Sequence, residues 1–310
     1  MNVTKVYASL EPDISDADSA VYLPSPDSSS ETYSESREVI QDIIVIHRKL
    51  DICNRCEGLK PSPAVNKLFA RLVGLCITKR CDSIVKAVLK DKRIKKIGPQ
   101  LRSFCSMGEG LLEHNWAGLV LETGGDSFED CKCFLSASCV FSALTDSGCE
   151  DKRTLCNFPY YDNYVRLAQL ESNVILAYLP EPPKKIAFIG SGPIPLTSIC
   201  LADRLPSTYI HNIDCEAAAI EFSKLIAEKA GYAKMSFACE YAEDGSSLTD
   251  YDVVYVAALV GGDLKTKLEV VEKVVSRMRP GALVCIRSAH SLRELLYPVS
   301  PTPEMTLKLD

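Results

Sequence analysis

The stretch KKIAFIGSGPIPLTSICLADRL at positions 184–205 constrains the fold more than any other part of the chain. The short apolar run Ile186–Ile189 is strand-sized and ends in Gly190-Ser191-Gly192, after which apolar residues resume at helical spacing. Strand, tight turn and helix in that order form the opening unit of an open parallel sheet. The following segments repeat the alternation. TYIHNID, MSFACEYA, YDVVYVAALV and GALVCIRSA read as four further strands, with AAAIEFSKLIAEKA and KTKLEVVEKVVSRM as helices among them. The second half is therefore α/β, with a mostly parallel sheet and right-handed crossovers.

In such sheets a ligand lies beyond the carboxyl ends of the strands, so Gly190, Ser191, Gly192 and Pro193 are candidate binding residues. Asp214 closes the second strand 24 residues after Gly190, where a carboxylate can bond ribose hydroxyls. The pair points to an adenosine nucleoside. A dinucleotide fingerprint requires a third glycine where this chain has Pro195, and Pro193 and Pro195 remove amide donors that a pyrophosphate would use. A ligand without phosphates, such as S-adenosylmethionine, fits better. A tight turn that binds nothing is the alternative.

The first half differs in pattern. EVIQDIIVIHRKLDIC places Val39, Ile40, Ile43, Ile44 and Leu50 largely on one face, and AVNKLFARLVGLCI and QLRSFCSMGEGLLEHNWAGLVLE repeat that helical period. Residues 38–180 thus read as a helical domain, interrupted at 123–155 by a cysteine-rich insertion and closed by a stiff hinge at Pro180, Pro182 and Pro183. Residues 181–310 form the sheet domain. Residues 1–37 are acidic and serine-rich with few large apolar groups, which predicts a disordered tail. After the fifth strand only PEMTLKLD remains from Pro303, so the usual C-terminal strands look truncated and a sheet edge is expected to want cover.

Lysine and arginine total 35 against 41 acids, a net charge of −6, which argues against nucleic acid as a partner. The basic cluster Lys90, Lys92, Arg93, Lys95, Lys96 then reads as a solvated helix face. No run is long and apolar enough for a membrane helix, and the N-terminal residues lack a signal pattern, so a cytoplasmic protein with 14 reduced cysteines is expected. Cys53-x-x-Cys56 and the irregular cysteines at 131–156 are weak zinc patterns; no protein-bound metal is expected.

GSGPIPLTSICLA, YDVVYVAALVG and PGALVCIRSAH followed by LYPV, together with LKPSPAVNKLFARLV, GEGLLEHNW and NFPYYDNYVRLAQLE upstream, resemble the nicotianamine synthase family over about residues 38–122 and 156–300. The resemblance implies a helical domain packed on a Rossmann-like S-adenosylmethionine-binding domain. It further implies transfer of 3-amino-3-carboxypropyl groups from three S-adenosylmethionine molecules, with ring closure, to give nicotianamine and methylthioadenosine. Nicotianamine chelates iron, nickel, zinc and copper, which implies a role in metal homeostasis. By the same resemblance Glu109, with Tyr161 or Tyr160, would handle the acceptor amine.

Glu113 follows Glu109 by one helical turn and shares its face, and Tyr164 is a further candidate. Ala257, Ala258 and Leu259 end the fourth strand where the adenosyl or amino-acid portion would pass. Arg287 and His290 end the fifth, with Arg287 either binding a substrate carboxylate or pairing with a loop acid. The chain departs from the family pattern at Met107, where an acid is usual, and at Tyr241, where the third strand normally ends in aspartate. An S-adenosylmethionine-dependent methyltransferase or an inactive truncated paralogue are the competing readings.

Overall fold

The computed structural model describes residues 5–9, 28–122, 158 and 160–299. The cysteine-rich insertion and the segment from Pro303 lie outside those residues. Six strands form one sheet: β1 (Lys5–Ser9), β2 (Lys185–Ile189), β3 (Tyr209–Asp214), β4 (Met235–Cys239), β5 (Val253–Val256) and β6 (Leu283–Ser288). Their spatial order is β1-β6-β5-β2-β3-β4, and every pairing is parallel. The chain runs outward from β2 to β4, then returns to the other side of β2 with β5. The order therefore reverses between β2 and β5, which is where a ligand crevice opens in this class of sheet.

Eight α-helices lie among the described residues: α1 (Ser28–Cys56), α2 (Pro63–Ile77), α3 (Asp82–Lys90), α4 (Lys92–Glu122), α5 (Tyr161–Tyr178), α6 (Leu196–Arg204), α7 (Ala217–Lys229) and α8 (Leu264–Ser276). None is long and apolar enough to cross a membrane. Ile43, Ile46 and Leu50 of α1 pack with Leu72, Val88 and Leu101 into a helical core. Leu292, Leu295 and Leu296 join that core from a 3-10 turn, Ser291–Leu295, that follows β6. The two halves are thus sewn together by sequence-distant residues.

Helix α4 decides where the site falls. Its 31 residues span about 46 Å at the α-helical rise. Its first half, through Ile94, Leu101 and Phe104, belongs to the helical core. Its second half, through Ala117 and Val120, packs on Leu196, Ile199 and Ile226 beside the sheet. The middle turns, carrying Glu109 and Glu113, therefore cross the strand ends. The basic residues at Lys90–Lys96 are exposed, as the charge pattern predicts, although α4 incorporates most of them and runs through Pro99.

The expected disordered tail at 1–37 is corrected at two places. Lys5–Ser9 forms β1, in register from Lys5 opposite Val284 to Ser9 opposite Ser288. A β6 edge would otherwise leave a row of unpaired amides and carbonyls, and β1 supplies their partners. Helix α1 also begins at Ser28, earlier than the apolar period. Polar contacts extend it: the Arg37 guanidinium lies 5.5 Å from the Tyr33 ring centre, and Glu35 pairs with Arg80 at 3.1 Å.

Helix α5 lies against the sheet, with Leu167, Ala168 and Ile175 packed on Ile186, Phe188 and Tyr255. On the same buried face, Glu171 accepts from Arg287 of β6 at 2.8 Å (Nε) and 2.9 Å (Nη2), and Arg287 Nη1 donates to Thr197 of α6 at 3.0 Å. The side chains are 7% and 0% exposed, so removing one partner strands the other charge. Glu171→Ala is expected to lower stability by about 3–5 kcal/mol. Asp250→Ala, which removes the exposed 3.4 Å pair with Lys185, should cost less than about 1 kcal/mol. Urea denaturation of both variants measures the contrast.

Candidate active site

The turn after β2 is held from three directions. The Ile213 carbonyl accepts from Gly190 N at 2.8 Å and Ser191 N at 3.2 Å. Asp214 Oδ2 accepts from Gly192 N at 2.9 Å, while Oδ1 accepts from Glu216 N at 3.0 Å. Gly190 and Gly192 have φ of +81° and +68°, a region that favours glycine. Close packing requires glycine too. A Cβ on Gly190 would stand 2.5 Å from Val260 Cγ2, and one on Gly192 would stand 2.7 Å from Glu113 Oε2.

Beyond this turn lies a cavity of about 440 Å³, bounded by the ends of β2, β3 and β5 and covered by α4 and α5. Its wall includes Gly190, Ser191, Gly192, Pro193, Asp214, Ala257, Ala258, Leu259, Glu109, Glu113 and Arg287 from the sequence-based candidates. Ser191 Oγ is buried there with no hydrogen-bond partner among the described residues. Asp214 keeps acceptor capacity, since its two backbone bonds use one direction on each oxygen. At the start of α6, Pro195 is the capping residue and Leu196 N is bonded to Ile194 O at 2.8 Å. The turn thus lacks the array of free amides that holds a pyrophosphate.

Two carboxyl groups face the glycine turn from α4. Burial pushes the Glu109 carboxyl up to about 7, while a hydrogen bond from Tyr297 and the charge of Arg287 pull it back. Glu113 is also raised, by burial first and then by the charges of Glu109 and Asp214; the Tyr164 hydroxyl donates to its Oε1 at 3.3 Å. Burial and the neighbouring acids raise the Tyr164 hydroxyl in turn, keeping it a donor. A second, mostly apolar pocket of about 170 Å³ adjoins the first, bounded by Phe69, Tyr160 and Tyr297, and Glu109 belongs to both walls.

The structure redistributes several candidates. Tyr161 packs in an apolar cluster with Phe158 and Trp116, off the cavity wall, and Tyr164 stands on the wall instead. Tyr160 reaches only the adjoining pocket. The Arg287 fork is engaged by Glu171, an acid of α5 rather than of a loop, instead of lying open for a substrate carboxylate. His290 is exposed and off the wall because the chain turns at that residue into the 3-10 turn. Met107 is 43% exposed and also off the wall. Tyr241 stands at the rim, 68% exposed. Sequence reasoning missed Tyr297, although LYPV marked its neighbourhood. It also missed Lys267 and Glu171, charged residues at core-facing positions of amphipathic helices.

The description "Nicotianamine synthase protein" belongs to a family model that matches residues 32–131 and 140–308. Nicotianamine synthase 2 of Arabidopsis thaliana is 35% identical over 263 residues, covering 83% of this chain and 74% of the relative. Nicotianamine synthase of Solanum lycopersicum is 35% identical over 268 residues, covering 85% and 75%. Among solved structures, MtNAS in complex with MTA and tNA superposes with a TM-score of 0.67 at 20% identity, over 86% of this chain and 88% of that one. A variant of MtNAS in complex with S-adenosylmethionine gives a TM-score of 0.64, likewise at 20% identity.

The elevated Glu109 carboxyl has a measurable consequence. Its ordinary value is 4.5 and its folded value about 7. Its contribution to stability is therefore full below pH 4.5 and lost as the pH rises through 7. Glu109→Gln should flatten this dependence: the urea midpoint of the variant falls less than that of the wild type between pH 4.5 and 7. Parallel curves would contradict the assignment.

Proposed function

Because the chain belongs to the nicotianamine synthase family, we propose that it makes nicotianamine by moving 3-amino-3-carboxypropyl groups between S-adenosylmethionine molecules. The observation that carries this reading is the cavity itself: a glycine turn whose Gly190, Ser191 and Gly192 amides are already bonded within the protein on one side, and two raised carboxyl groups on the other. Gly190–Gly192 and Ala257–Leu259 hold the adenosyl portion, and Asp214 bonds the ribose. The sulfonium activates three carbons, so the direction from which the acceptor amine arrives selects the methylene of the aminocarboxypropyl chain over the methyl group.

In each transfer the lone pair of the amine forms a C–N bond while the C–S bond breaks, and its electrons leave with neutral methylthioadenosine. The amine must first be neutral, yet a free α-amino group with a pKa of about 7.7–8.0 is mostly protonated at neutral pH. Glu109, poised near neutrality, accepts the proton. Glu113, hydrogen-bonded to Tyr164, orients the amine. Arg287 acts as a fixed cation that favours ionised Glu109, with its fork held by Glu171. Three such donors yield one nicotianamine, with ring closure as one of the C–N bond formations. A role in metal homeostasis follows from the chelating product. A cytoplasmic location is part of the same proposal, supported by the nine cysteines of the described residues, all of them free thiols.

Incubation of the purified protein with S-adenosylmethionine alone, followed by mass spectrometry, tests the reading. Nicotianamine and methylthioadenosine are expected. S-adenosylhomocysteine would indicate methyl transfer, and ligand binding without turnover would indicate an inactive relative; either overturns the proposal. Glu109→Gln should bind S-adenosylmethionine but turn over about 100-fold more slowly or worse, whereas Tyr161→Phe should stay close to wild type.

A further inference from the structure

Lysine is almost never fully buried unless paired, yet Lys267 in the first turns of α8 is 0% exposed. It occupies the inward face with Val270, Val271 and Val274. Its Nζ donates to two backbone carbonyls, Ala257 O at 2.9 Å and Ala258 O at 2.7 Å. Burial lowers this amine to about 7, showing how strongly the site disfavours the charge. A hydrocarbon side chain would fill the same space without desolvation. The amine therefore has a task that packing does not explain.

The two carbonyls belong to the residues that directly follow β5 and line the cavity. The loop then wraps the lysine closely: Gly261 has φ of +85°, and a Cβ there would stand 2.5 Å from Lys267 Cα. At its other side the loop presses on the glycine turn. A Cβ on Gly190 would meet Val260 Cγ2 at 2.5 Å and Ala257 Cβ at 3.0 Å. Helix α8 is fixed at its start by Asp263, whose Oδ1 accepts from Thr266 N at 2.9 Å. A continuous line of contacts runs from α8 through Lys267 and the 257–261 loop to the Gly190 turn.

We propose that Lys267 is a positioning residue of the S-adenosylmethionine site, tying the carbonyls of Ala257 and Ala258 to α8 so that the loop holds its shape against Gly190. The inference rests on the reading of this cavity as the S-adenosylmethionine site. Lys267→Met keeps the stem and removes the donor. Its KM and Kd for S-adenosylmethionine should rise about tenfold, with little change in kcat. Lys267→Gln, which keeps an amide donor on a shorter stem, should fall between Met and wild type, and it carries the test if the Met variant does not fold. Val270→Ala loosens the same helix in the core and should lower the melting temperature while leaving KM unchanged. A folded Met or Gln variant with wild-type KM would overturn the proposal, as would a Val270→Ala variant whose KM rises as much as that of Lys267→Met. Absence of S-adenosylmethionine binding by the wild type would instead remove the site reading on which the proposal stands.

Discussion

The bidentate pair between Arg287 and Glu171 fixes the arrangement on which the candidate site depends. It joins the end of β6 to the middle of α5, and through Thr197 it reaches α6, the helix that follows the glycine turn. Arg287 also lies over the Phe188 ring, 5.5 Å from its centre, so its position is set by packing as well as charge. Desolvating two ions is unfavourable, and only good geometry offsets that cost. The return is placement. With α5 held, Tyr164 reaches Glu113 on α4, and the buried guanidinium moderates the rise in the Glu109 carboxyl.

Helix α4 turns this local arrangement into a site. Because its ends are packed in different cores, its central turns cannot leave the strand ends without opening one of them. Two acids spaced one turn apart are thereby presented to a turn whose glycines permit close approach. Burial raises both acids, and the charge of Glu109 raises Glu113 further, which suits proton acceptance near neutral pH better than permanent charge. The adjoining apolar pocket shares Glu109, so the acid lies where two volumes meet.

The sheet was the most legible part of the chain. Five short apolar runs separated by helical periods became β2 to β6, and the glycine turn with Asp214 lay where the strand order reverses. β1 was hidden because five residues in a polar segment gain order only through pairing with a distant edge, which local composition does not report. The tyrosines show a similar limit. Tyr160, Tyr161 and Tyr164 lie within one turn of each other, and only packing of Phe158 and α5 decides which one faces the cavity. Arg287 was located correctly at a strand end, but its partner lies 116 residues away in sequence. Lys267 and Glu171 were more accessible, since Lys267 shares the stripe of Val270, Val271 and Val274, and Glu171 that of Leu167, Ala168 and Ile175.

The central claim is that Glu109 accepts the amine proton with an affinity set by its surroundings. Its most direct measurement is the pH dependence of kcat/KM for S-adenosylmethionine in the wild type and in Tyr297→Phe. The Tyr297 hydrogen bond lowers the Glu109 carboxyl toward about 7. Its loss should move the acidic limb of the profile to higher pH, while limbs belonging to the substrate stay in place. An acidic limb at the same pH in both proteins would contradict the account.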